Sequence, residues 1–447
     1  MIAVGLFCSL KDATVENLVI DSTCSFTGIS AGALSASADG SLIVRNTTNK
    51  ATVTGNQKLG GFIGYVEGLE QPTVISFEDC VNEANVTATR SYVGGFVGSV
   101  SSNANITFTV SNSANNGNVN GNEQYVGGFV GFIFNNTIVH MNIFNFTNSG
   151  TVSGSRGSVG GFIGSFYKNT FTETTISNTI NNGFATGQSN NIGGFVGSVI
   201  ENNNTAITTS NSINNGNVTN SGSCVGGFVG FISSNTNITM TISNSINNDI
   251  AILSGSGAGG FTGSIFSNVN MTMIVSNSTN NGSINGNDMV GGFSGNIESA
   301  PETRIISLEI KNSANKGNVT AKTGTTCGLF CVKSNNNVNV KTRVKNSINE
   351  GSVKADKSAY GITNIITVAR NVVSMGDVTS PCSFTFWDAS TDVNLFYGFD
   401  GKFINCCDGA TLFQYNSTTG FYEVVETGEH VDDLLNDESV NQHFGMV

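Results

Sequence analysis

Apolar and polar residues alternate in three short runs between Val93 and Gly121, and the same runs return about every 33 residues. In the first run Phe96 and Val100 share one side of an extended chain, because successive side chains point to opposite faces. Across the copies the fourth position after the Phe stays apolar, as Val66, Val100, Ile133, Phe166, Val199, Ile232, Ile265 and Ile297. The third position after it is often polar, as Ser99, Ser165, Ser198, Ser264 and Asn296, which predicts a core face on the Phe side and a wet face opposite. The second run, Ile106-Thr107-Phe108-Thr109-Val110, alternates in the same way, and a third places Val119, Val152, Val218, Ile284, Val319 and Val353 inward. These are strand signals, and the density of Gly, Asn, Thr, Val and Phe disfavours the helical repeats that share this period.

The unit is marked by Val93-Gly94-Gly95-Phe96-Val97-Gly98. Copies begin at Leu59, Val126, Val159, Ile192, Val225, Ala258 and Val290, at gaps of 34, 33, 33, 33, 33, 33 and 32 residues, with weaker echoes at Val4, Ala31, Cys327 and Tyr360. The expected fold is all-β: a parallel β-solenoid, or β-helix, of about ten three-strand coils of some 33 residues. Stacked coils would place Phe62, Phe96, Phe129, Phe162, Phe195, Phe228, Phe261 and Phe293 in one core column. A second series, Asn112, Asn145, Asn178, Asn211, Asn244 and Asn277, is expected inward or at a corner, where each amide would bond to its copies above and below. The Asn-Asn-Gly that follows, as at Asn115-Asn116-Gly117, predicts a turn.

From Pro381 the pattern stops. Residues 1–380 read as the repeat array and 381–447 as a small α+β or irregular cap, with Phe384, Phe386, Trp387, Phe396, Tyr397, Phe399 and Phe403 crowded together and a short helix around Asp432 to Leu435. The net charge of −12 falls mostly on that cap, which holds 11 acids against Lys402 alone. The array is nearly neutral and has no basic face, which argues against nucleic acid as a partner. No apolar run is long enough to span a bilayer, and because a repeat echo starts at Val4 the chain is expected to be a segment of a longer protein. The nine cysteines lack zinc-type spacing and read as small hydrophobes, with disulfides among Cys382, Cys406 and Cys407 as the alternative.

The succession Val93-Gly94-Gly95-Phe96-Val97-Gly98, Val110-Ser111-Asn112-Ser113 and Asn116-Gly117-Asn118-Val119-Asn120-Gly121 resembles the GLUG motif, over roughly residues 1–380. Such arrays occur in bacterial surface and adhesin-like proteins and in large surface proteins of parasitic protists. The chain departs from the motif in having Phe where Leu is usual and in an added loop such as Ser101 to Asn105. The resemblance implies a stalk or scaffold, extracellular or at the cell surface, with no catalytic residues to carry over.

The chemistry along the chain agrees with that. Between Val93 and Gly295 the acids are Glu123, Glu173, Glu201, Asp249 and Asp288, and no two align on a strand as a polysaccharide-cleaving β-helix would require. The histidines are His140, His430 and His443, too few and too scattered for a triad or a metal site. No catalytic, cofactor or metal residue is therefore assigned. Loop sequons at Asn203 and Asn237 are candidate glycosylation sites, whereas Asn145 and Asn277 fall in the expected ladder and should stay unmodified. The leading expectation is a non-enzymatic, secreted or surface adhesin-like rod whose partner is a glycan, a host-surface protein or another copy of itself. The alternatives are a polysaccharide lyase or glycosidase and a plain structural spacer. The aromatic cap is the first place to seek a binding platform.

Overall fold

The protein is described by a computed structural model covering residues 3–68, 72–188, 191–248, 251–253, 255–298, 305–332, 340–363, 368–374 and 377–380, with short strand backbones at 382–386, 403–404, 412–416 and 421–426. The C-terminal aromatic side chains, the helix expected at Asp432 to Leu435, Cys406 and Cys407 lie outside the described residues.

The fold is a parallel β-solenoid. Taking one coil as the example, strands run over Val93–Gly94, Val97–Ser101, Asn105–Asn115 and Val119–Gly121. Each pairs in parallel with the strand one repeat later: Val93 with Val126, Val97 with Val130, Phe108 with Met141, Val119 with Val152. Strands corresponding to Val119–Gly121 form their own 13-stranded sheet in strict chain order. Parallel stacking also continues past residue 380, since Cys382–Phe386 pairs with Ser358–Thr363. The one antiparallel pairing among the described residues joins Leu412–Asn416 to Phe421–Glu426.

The Phe column lies where the alternation put it, with all eight rings buried. From Phe162 to Phe293 the rings stack nearly face to face, at centroid spacings of 4.6, 4.5, 5.0 and 5.0 Å. Between Phe62 and Phe129 they tilt by 45° and 57° instead. The cause is local: there the neighbouring strand adds Phe77, Phe108 and Phe146, whose edges meet the column rings in T-shaped contacts. A ring with a positive edge and negative face prefers this herringbone once a second aromatic row must share the core.

The first strand is not wet on its outer side. Ser99, Ser165, Ser198 and Ser264 are all buried, because the chain turns tightly at Gly94-Gly95 and lays the preceding arm over the strand. A Cβ on Gly98 would sit 2.6 Å from the backbone nitrogen of Leu59, and one on Gly94 would collide with the carbonyl oxygen of Val97. The glycines thus permit backbone against backbone, and the alternation of the first run marks two buried faces of different character.

Asparagine ladders exist, but the buried one uses other residues than expected. Asn49, Asn82, Asn115, Asn148, Asn181, Asn214, Asn247, Asn280, Asn315 and Asn349 are fully buried, and each Nδ2 donates to Oδ1 of the next at 2.7–2.9 Å. Most also donate to the carbonyl two residues on, as Asn115 does to Gly117 at 2.9 Å. A second buried ladder joins Asn103, Asn136, Asn169, Asn202, Asn235 and Asn268 at 2.8–3.1 Å. The expected series Asn112, Asn145, Asn178, Asn211, Asn244 and Asn277 is exposed at a corner, with φ between 49° and 53°. Asn recurs there because a non-glycine residue with positive φ is cheapest as Asn, and the corner bonds that do form, such as Asn145 to Asn112 at 2.9 Å, lie outside. The reason for expecting Asn145 and Asn277 to escape modification therefore falls away. The exposed corner amides donate toward the N-terminal coil, opposite to the buried ladders.

Cys80 and Cys224 are buried small hydrophobes whose thiols burial pushes up to about 11. Cys327 and Cys331 form a disulfide, a pairing the sequence reading did not foresee.

Three substitutions test this packing. Replacing Asn181 by Ala strands the amide of Asn148 and the carbonyl of Asn214, and should cost about 3 kcal/mol in denaturant unfolding; Asn178→Gly, at an exposed positive-φ corner, should change stability by less than about 0.5 kcal/mol. A Cβ on Gly161 would collide with the Gly194 carbonyl and stand 2.7 Å from Asn181 Oδ1, so Gly161→Ala should destabilise by about 3 kcal/mol in the same assay.

Candidate functional site

The outward positions of the first strand form rows along the rod. Tyr65, Ser99, Phe132 and Ser165 are in register in one row, and Ser101, Phe134 and Tyr167 in the next. The covering arm contributes a residue with positive φ in several coils: Lys58, Tyr92, Tyr125, Cys224 and Met289. What fills the space between arm and strand therefore varies along the rod. It is a serine cluster at Ser158, Ser165 and Ser198, linked at 2.8 Å. It becomes an apolar group of Met289, Cys327 and Cys331 with Tyr360 further on.

In the second to fourth GGF coils it is aromatic. Phe132 lies parallel to Tyr125 at 4.1 Å between centroids, to Tyr92 at 5.0 Å and to Phe134 at 5.2 Å, all within 10°. Tyr167 continues the group, 5.8 Å from Phe134 at 14°. Phe132 is buried, whereas Tyr92, Tyr125, Phe134 and Tyr167 are half-buried. The polar rim is specific. The Tyr167 hydroxyl donates to Glu201 Oε1 at 3.3 Å, Lys168 Nζ lies 3.6 Å from Glu201 and 5.0 Å above the Tyr167 ring, and Ser91 Oγ donates to Glu123 at 3.4 Å. Burial raises the Tyr92 hydroxyl pKa, with Glu123 adding to the effect, and burial pushes Tyr125 up to about 12, with Tyr167, Tyr92 and Glu201 contributing less.

The sequence carried a trace of this strip that the repeat reading passed over. Phe132 stands where several other copies place Ser99, Ser165 and Ser198, a position that Tyr65 and Phe231 also fill with rings, and Phe134 and Tyr167 stand where Ser101, Ile200, Ser233 and Phe266 stand in others. Exceptions to a repeat's polar positions are the signal, since a large ring at a polar position is not required by the core. The C-terminal aromatic cluster, the platform anticipated from sequence, lies outside the described residues.

Of the acids considered for catalysis, Glu173 pairs with His140 Nδ1 at 3.3 Å, Glu201 pairs with Lys168, and Asp288 accepts backbone N–H bonds from Met289 and Thr325. Asp249 lies outside the described residues. Among the described residues no three His, Cys, Asp or Glu side chains gather as metal ligands, and no helix is long and apolar enough to cross a membrane. Asn203 and Asn237 are both exposed; the Asn237 amide donates to Asn204 and accepts from Asn270, each at 3.1 Å, while Asn203 stands one place after the ladder residue Asn202.

The fold defines a parallel β-solenoid repeat protein. No family model, curated protein or solved structure matches the chain.

A tyrosine whose folded pKa lies above the unfolded value near 10 favours the native state while it is neutral. The contribution of Tyr125 should be intact below about pH 10 and lost as pH rises toward 12. Thermal melts from pH 8 to 12 should show an alkaline decline that Tyr125→Phe makes shallower.

Proposed function

We propose that this chain is a non-enzymatic repeat protein that serves as a rigid stalk and interaction surface, secreted or at a cell surface, in the manner of the GLUG arrays it resembles. The observation that carries the reading is the continuity of the buried Asn49 to Asn349 ladder beside the Phe column, which makes one stiff body of the coils. A structure stacked in this way has little hinge capacity, since each coil is fixed to its neighbours by the same bonds.

Three further features support it. The second strand turns Thr, Ser and Asn outward, as at Thr107, Thr109 and Asn142, which suits display to an aqueous medium. Its acids are spent largely on partners of opposite charge, Glu83 on Lys50 and Glu16 and Glu78 on Arg45. The disulfide Cys327 to Cys331 fits an oxidising compartment. The partner on this reading is a glycan, a host-surface protein or a second copy of the chain.

Labelling intact source cells and their medium with a membrane-impermeant amine reagent tests the location, through lysines such as Lys11 and Lys168. The protein should be recovered labelled; recovery only from the unlabelled interior would overturn the surface reading. Full-length protein on beads should adhere to target cells, and beads that bind no more than uncoated controls would leave the stalk and remove the adhesin.

A further inference from the structure

We infer that the outer face of the second strand in the last coils of the array, built from Lys311, Lys341, Arg343 and Lys345, is the docking surface for the chain's own acidic C-terminal segment, residues 429–438. The docking is independent of the surface role proposed above.

The array is nearly neutral as a whole but not along its length. Residues 304–380 carry 11 Lys or Arg against 4 Asp or Glu, whereas residues 1–303 carry 7 against 16. The near-neutrality of residues 1–380 is an average over an acidic part and a basic part, and the expectation that the array lacks a basic face fails in its last coils.

The fold gathers the excess on one side. Along the strand Val340–Asn349 the residues Val340, Thr342 and Val344 are buried, and Lys341, Arg343 and Lys345 alternate with them on the outside. Lys311 of the preceding coil stands in register with Lys345, and Arg370 of the following coil is in register on its other side. Neighbouring parallel strands are about 4.8 Å apart, so cationic residues of three coils follow one another in a single row. Like charges set opposite one another in a sheet are unfavourable.

Elsewhere the rod sets opposite signs across coils. Arg45 lies between Glu16 and Glu78 at 2.8 and 3.0 Å, Lys50 is 3.5 Å from Glu83, and Lys168 is 3.6 Å from Glu201. In the basic face Glu309 supplies one carboxylate, 3.6 Å from Lys345. Lys311, Lys341 and Arg343 form no ion pair among the described residues. Their mutual repulsion is relieved by an anionic segment laid along the strand.

Charge, place and length select the occupant. Residues 381–447 hold 11 acids against Lys402, and residues 429–438, which lie outside the described residues, hold five acids with no Lys or Arg. Cys382–Phe386 pairs with Ser358–Thr363 and Phe403–Ile404 pairs with Val378–Thr379, so the chain is still at the basic end of the rod at residue 404. The roughly 25 residues from there to Glu429 reach up to about 80 Å, far more than the few coils back to Lys341. A tethered segment meets its site at an effective concentration of about a millimolar. A separate polyanion would have to displace it and approach against the negative charge of residues 381–447.

Zero-length carbodiimide cross-linking of the full chain at low salt, with the linked peptides mapped by mass spectrometry, tests the docking. Links should join Lys311, Lys341 or Lys345 to carboxylates of residues 429–438, disappear in high salt, and be absent from Lys11 and Lys50 at the far end of the rod. In an equal mixture of ordinary and isotope-labelled protein they should stay within one chain. Arg343→Glu leaves the three lysines in place to report and should cut the yield several-fold. If that variant melts abnormally, Asp432→Asn with Asp433→Asn should cut the yield of links to Asp437 and Glu438 instead. No links to residues 429–438, links falling equally on Lys11 and Lys50, or links unchanged by these variants would overturn the docking. Links between chains would give the face to a second copy and overturn it as well. A heparin oligosaccharide should bind the full chain about tenfold more weakly than a variant neutralised at Glu429, Asp432, Asp433, Asp437 and Glu438. Equal affinity would show the face already open and overturn the proposal.

Discussion

Everything in this molecule depends on backbone approaching backbone at a distance that only glycine allows. Gly95 and its copies sit where a Cβ would strike both the carbonyl of the next coil and the amide of the ladder asparagine, as Gly128 and Gly161 do against Asn148 and Asn181. The ladder and the turn are therefore one device. The amide is held in line by the glycine column, and the glycine column is tight because the amide lies against it. The Phe column, the ladder bonds and the covering arm follow from keeping that contact in register over every repeat.

Repetition also sets how the energy is divided. Each coil buries its Phe and closes its hydrogen bonds largely with the two coils beside it, so stability is close to a sum of nearest-neighbour terms. A defect in one rung is felt first by its two neighbours. The tilt of Phe62, Phe96 and Phe129 shows how such a system absorbs variation: an added ring from Phe77, Phe108 or Phe146 is met by rotating the column rings, while the backbone register stays unchanged.

The architecture was legible in the sequence because period, strand alternation and core position are all carried by large apolar residues that cannot lie anywhere else. Phe96 and Val100 determine the inner face of their strand, and the structure agrees at every copy. Asparagine was harder to read, since it recurs for two physical reasons. At Asn112 it answers a backbone that needs positive φ; at Asn115 it answers a buried amide row; the period of both is the same. The outer face of the first strand was misread for a related reason. Ser99 is polar, but a Gly-Gly turn that folds an arm over it hides it from water, and alternation alone contains no information about what comes back to cover a face. The aromatic strip was missed because a repeat reading averages over copies, and Phe132, Phe134 and Tyr167 are departures from the average.

The ladders have one more property, direction. Ten buried amides from Asn49 to Asn349 point their donors toward the C-terminal end, while the exposed corner amides point theirs the other way. Aligned amide dipoles polarise one another, so the buried row behaves as a single polar thread along the axis, partly balanced by the return rows outside. Such a thread has unlike ends, and the chain itself meets both: the Ala51 N–H donates to Asn49 Oδ1 at 3.0 Å, and Asn349 Nδ2 donates to Ser374 Oγ at 3.3 Å. Every coil within the ladder therefore shares one polarity, which gives the rod chemically distinct ends.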